Sequence, residues 1–63
     1  MDIQLFFNIR SMRWESFRPE LSKAIAKIYA EQPDLQTLSL LSSLAAKEKI
    51  EKLLRKQGLL QPT

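Results

Sequence analysis

Apolar and polar positions follow three different rhythms along this chain, and each predicts its own element. The clearest runs from about Pro19 to Gln32, where Leu21, Ala24, Ile25, Ile28 and Tyr29 recur at the spacing of an amphipathic helix. Ser22, Lys23, Ala26, Lys27 and Glu31 form its other face. Pro19 suits a first helical turn, where the missing N–H costs nothing, and Glu20 favours the positive end of the helix dipole. Pro33 opposes continuation, so the pattern predicts a helix over 19–32 with both ends marked.

A second helical rhythm follows. Asp34 is a candidate N-cap, and the short Gln32-Pro33-Asp34 link predicts a helical hairpin. With Leu35 placed at zero and about 100° per residue, Leu38, Leu41, Leu44 and Ala45 fall at about 300°, 240°, 180° and 280°. Ile50, Leu53 and Leu54 fall at about 60°, 0° and 100°, so the apolar direction swings by more than a right angle near Ala46. Two arrangements fit. The chain breaks near Ser42-Ser43, with Ser43 capping a third helix, or one helix runs over 35–57, packing internally first and on a partner later. The strong helix formers Ala45 to Lys49 favour the continuous helix. Gly58 then suits a left-handed C′ position, with Leu59 contacting Leu54 as in a Schellman motif, Arg55 and Lys56 in the last turn, and residues 60–63 as a frayed tail.

The third rhythm is period two. Ile3, Leu5, Phe7 and Ile9 alternate with Asp2, Gln4, Phe6, Asn8 and Arg10, which is strand spacing with Phe6 as the one apolar exception. A lone strand cannot stand, so a strand over 3–9 must pair with a copy of itself or a partner; failing that, a further helix reaches Trp14 or Phe17. The expected fold is therefore mainly α, a single domain over 1–63, with a helical hairpin (19–32 and 35–57) preceded by that ambiguous segment.

Composition sharpens the functional side. Eleven leucines, five isoleucines and five aromatics in 63 residues argue against disorder. A core of this size is marginal, and with no Cys and no His neither disulfides nor an ordinary metal site can supplement it. Self-association remains, so a homodimer is expected, through Leu35, Leu38, Leu41, Leu44, Ile50 and Leu53. The missing cysteine fits the reducing cytoplasm, and the apolar N-terminal run is too short and interrupted for a membrane span or leader. Enzyme chemistry is disfavoured. No thiolate or imidazole exists, Glu48 and Glu51 each have a cation four residues on (Lys52 and Arg55), and the single glycine excludes a phosphate-cradling loop. No cofactor and no metal are expected.

Charge is local. Residues 1–34 carry five Lys/Arg and five Asp/Glu, so the net +3 comes from Lys47, Lys49, Lys52, Arg55 and Lys56 against Glu48 and Glu51. Lys49, Lys52 and Lys56 form one stripe that could meet phosphates, a cytoplasmic membrane surface or an acidic protein. Arginines interleave with aromatics over Arg10, Arg13, Trp14, Phe17 and Arg18, a composition found at binding hot spots and on base-stacking surfaces.

The polar-alternating Gln4, Asn8 and Arg10, followed by two helices, are similar in outline to ribbon-helix-helix repressors, and Phe7-Asn8-Ile9-Arg10 resembles the reading strand of Arc-type members. The resemblance implies strands from two chains, paired over residues 3–10, presenting Gln4, Asn8 and Arg10 to a DNA major groove. The spacer Ser11–Arg18, the Pro33-Asp34 turn and the long last helix depart from that outline.

The leading expectation is a small, non-enzymatic, cytoplasmic interaction or regulatory protein. It binds another protein, as a homodimer, through Arg13, Trp14, Phe17, Arg18, Leu41, Leu44, Ile50 and Leu53. The alternative is a DNA-binding regulator contacting nucleic acid through Gln4, Asn8, Arg10, Lys49, Lys52 and Lys56.

Overall fold

The computed structural model describes residues 4–60. Two strands, β1 (Leu5–Asn8) and β2 (Arg13–Ser16), precede three helices, α1 (Pro19–Glu31), α2 (Asp34–Leu41) and α3 (Ser43–Lys56). The chain is thus mainly helical.

The N-terminal alternation is a strand, shorter than 3–9 and paired within its own chain. β1 and β2 are antiparallel, with Leu5 opposite Ser16, Phe6 opposite Glu15, Phe7 opposite Trp14 and Asn8 opposite Arg13. A second strand thus occupies part of the segment read from sequence as a spacer or further helix. The turn between them explains why. The Asn8 carbonyl accepts from the Met12 N–H at 2.7 Å and the Asn8 side chain accepts from the Arg10 N–H at 2.9 Å. Met12 takes a left-handed backbone (φ 56°), which closes the four-residue loop without a glycine. Ile3 lies outside the described residues, and Ile9 sits in the turn. Phe6, the exception to the alternation, stacks on Phe17 with ring centroids 4.4 Å apart on the outer face of the hairpin.

α1 matches the predicted helix closely. Its Leu21, Ile25, Ile28 and Tyr29 are buried, Pro19 lies in the first turn, and the Arg18 carbonyl accepts from the Ser22 N–H. The second helix differs from the expected one in three ways. Asp34 is its first residue and not its cap, because Pro33 is already helical and the carbonyls of Gln32 and Pro33 accept from Leu35 and Gln36. It ends at Leu41, because Ser42 is extended (φ −154°, ψ 93°), so the continuous helix over 35–57 is replaced by two. And α1 packs mainly on β2 and α3, while α2 packs mainly on α3, so the helices flanking Pro33 are not the paired hairpin that a short link implies.

The break at Ser42 is what a rotating apolar stripe requires. α2 buries Leu35 and Ser39, α3 buries Ala46, Ile50 and Leu54, and one extended residue turns both directions onto the same core. Leu5, Trp14 and the α1 stripe complete that core. Leu60, assigned to the frayed tail on sequence, is buried with them; residues 61–63 of that tail lie outside the described residues. The end of α3 is a Schellman motif: Gly58 has φ 76°, its N–H donates to Arg55, and the Leu59 N–H donates to Leu54.

Candidate functional site

Large apolar side chains are exposed at three places among the described residues: Ile9 in the hairpin turn, Phe17 beside Phe6, and Leu40, Leu41 and Leu44 where α2 meets α3. Leu40, Leu41 and Leu44 lie at the α2–α3 corner, 55%, 81% and 70% exposed. The corner exists because the buried side of α2 centres on Leu35 and Ser39, which leaves Leu40 and Leu41 on other sides of this short helix. A serine faces the core because Tyr29 needs a partner there: the Tyr29 hydroxyl lies 2.8 Å from Ser39 Oγ and accepts from the Trp14 backbone N–H at 2.9 Å. This buried pair therefore decides which leucines are left outside.

Trp14 holds the corner from within. It is buried, donates its indole N–H to the Ser43 carbonyl at 2.7 Å, meets the edge of Phe7, and lies under the Lys47 ammonium at 5.4 Å. It is a core residue that fixes the α2–α3 junction, and not the exposed anchor that its neighbouring arginines suggest. Arg13 likewise works within the chain. Its guanidinium lies 5.0 Å from the centroid of the Tyr29 ring and donates to Gln36 Oε1, while the Gln36 amide donates to the Met12 carbonyl at 2.9 Å. Hairpin turn and α2 are thereby tied together.

The remaining sequence-derived residues are scattered. Ile50 is fully buried and Leu35 nearly so, which leaves neither free to form a helix–helix seam between two chains, while Leu38 and Leu53 are partly buried against the same core. Phe17 is 80% exposed on the hairpin side, stacked on Phe6. Arg18 donates to Gln4 Oε1 at 2.9 Å and pairs with Glu20 at 2.6 Å. That hydrogen bond, reinforced by the arginine charge, holds the Glu20 carboxyl below its ordinary range. Asn8 donates to Glu15 at 3.3 Å as well as capping the turn, and Arg10 is exposed in the turn. Lys49, Lys52 and Lys56 are all exposed along α3.

No protein-family model, curated protein or solved structure matches this chain. The site therefore rests on geometry alone. Among the described residues no three acidic side chains converge as metal ligands would, and no helix is long and apolar enough to cross a membrane.

Leu41 and Leu44 are among the sequence-derived residues and Leu40 is not, although its angle of about 140° from Leu35 puts it only about 40° from Leu44. Sequence reasoning also missed the Tyr29–Ser39 pair. Neither residue type announces a buried partner, and the two lie in different helices.

Proposed function

We propose that this chain is a small, non-enzymatic interaction or regulatory protein, which works as a homodimer and covers the surface of another protein. The observation that carries the reading is the corner of Leu40, Leu41 and Leu44. Three large apolar side chains within five positions stay in water while the rest of a very small core is filled. Burying such side chains in a partner is worth roughly 1.5–3 kcal/mol each, and leaving them exposed serves no purpose in the isolated fold. The cysteine-free composition suits a reducing compartment, which makes the cytoplasm our assignment.

The test is site-specific photocrosslinking in the cells that make the protein, with a photoreactive residue at position 41 or 44 and a control at exposed Lys27 on α1. The reading predicts a discrete adduct from 41 and 44 and none from 27. Equal adducts from all three positions, or none from any, would contradict it.

A nucleic-acid partner is the second reading, favoured by the exposed Lys49, Lys52 and Lys56 stripe. It predicts duplex binding that weakens steeply as salt rises and weakens further when these lysines become glutamine. Absence of duplex affinity at low salt would remove it.

A further inference from the structure

β1 is the outer strand of the hairpin. β2 packs on all three helices, while the far side of β1 meets no other strand among the described residues. The direction of its backbone groups follows from one bond. The Trp14 N–H donates to the Tyr29 hydroxyl and so points away from β1. Opposite residues in an antiparallel pair either exchange both hydrogen bonds or neither. Phe7, opposite Trp14, and by alternation Leu5, opposite Ser16, therefore turn their N–H and C=O groups to the outer edge. Among the described residues no other backbone group bonds to them.

Edge strands in monomeric proteins are ordinarily blunted by lysine, proline, a bulge or a covering segment. Gln4-Leu5-Phe6-Phe7-Asn8 contains no charge and no proline. It is also self-complementary. Laid antiparallel on a copy of itself about a two-fold axis at Phe6, it places Leu5 opposite Phe7, Phe6 opposite Phe6 and Gln4 opposite Asn8. Leu5 and Phe7 carry the outward-pointing groups, so these become the hydrogen-bonded pairs and Phe6 the close, non-bonded one. A slip of one residue would set the core face against the outer face, which this register avoids.

We propose that two copies of this chain pair through β1 in that register, giving a four-stranded sheet in the order β2-β1-β1-β2. The inference rests on the homodimer reading above and names its surface. The inner face continues the core through Leu5 and Phe7. On the outer face each Phe6–Phe17 stack meets its symmetry mate, which aligns four rings and covers the open side of Phe6. No like charges are brought opposite one another, and the two-stranded ribbon, marginal by itself, gains two neighbours. The α2–α3 corner is not used, so partner binding and pairing are separable.

These 63 residues are within reach of chemical synthesis, and the test compares three forms: unmodified, methylated on the backbone nitrogen of Phe7, and L41E/L44E. Methylation removes an outward N–H while leaving the hairpin ladder and every side chain in place. Sedimentation equilibrium up to millimolar concentration should show a dimer that methylation weakens roughly tenfold or more, since each dimer loses two hydrogen bonds. L41E/L44E should leave it unchanged. Isotope-filtered nuclear Overhauser contacts in a mixed-label sample should join Leu5 of one copy to Phe7 of the other. A dimer dissolved by L41E/L44E but indifferent to methylation would overturn the strand pairing and keep the dimer. A monomer at every concentration would overturn both.

Discussion

The hydroxyl of Tyr29 has two buried partners, and its removal is the most informative single-atom change in the chain. In Tyr29→Phe the Trp14 N–H and Ser39 Oγ lose their bonds without gaining water, which should cost about 1–3 kcal/mol in denaturant unfolding. Adding Ser39→Ala should cost less than the sum of the two single changes, because one shared bond is lost in each. Additive costs would mean that the pair does not form. Gly58 is a cleaner case still. A Cβ there meets nothing within 4 Å, so Gly58→Ala should cost only the left-handed conformation, about 1–2 kcal/mol. The Arg18–Glu20 pair adds a pH signature. A carboxyl held below its unfolded value contributes stability above that value and loses it as pH falls through the folded one, and at so exposed a site the contribution is small. Carboxyl NMR should place the Glu20 midpoint below that of an ordinary glutamate and return it there in Arg18→Gln; an unmoved midpoint would mean the pair is absent in solution.

At the scale of elements, the two ways of using leucine in this chain should separate sharply. Ile50→Ala opens a cavity at the centre of the core and should cost about 2–5 kcal/mol, enough to unfold much of a domain this small. Leu41→Ser should stay within about 0.5 kcal/mol of the parent. A comparable loss in both would place Leu41 in the fold and not on a contact surface. The same separation explains what the sequence made legible. α1 could be read to within a residue because proline and glutamate mark its start and the apolar stripe has an unbroken period. The Schellman end of α3 was legible from Gly58 for the same reason, a local signal with a local cause. The break at Ser42 was visible only as a swing of the apolar face, and helix propensity pointed the other way; tertiary packing decided it, through the indole of Trp14 on the Ser43 carbonyl and the Tyr29–Ser39 pair. β2 was not legible as a strand. Arg13-Trp14-Glu15-Ser16 has too few apolar positions to show a period, and its turn carries no glycine, so only pairing with β1 reveals it.

For the whole molecule, the two surfaces that we propose for partners lie on different elements. Among the described residues the β1 edge has backbone groups with no strand partner, for which we propose a copy of the same chain, and the α2–α3 corner has exposed apolar side chains, for which we propose a different protein. Of the residues that the sequence groups as one contact set, Leu41 and Leu44 are exposed at the corner, Trp14 and Ile50 are buried, and Arg13 is exposed but holds Gln36 and the Tyr29 ring of its own chain. Lys49, Lys52 and Lys56 are exposed along α3 as a solvated face. On the proposed function the leucine corner covers another protein. Native mass spectrometry of the chain isolated from the cells that make it tests this most directly. The prediction is a species heavier than two 7.3 kDa chains that disappears in L41E/L44E while the fold persists; a bare monomer or dimer, or a heavier species that survives the double substitution, would contradict it.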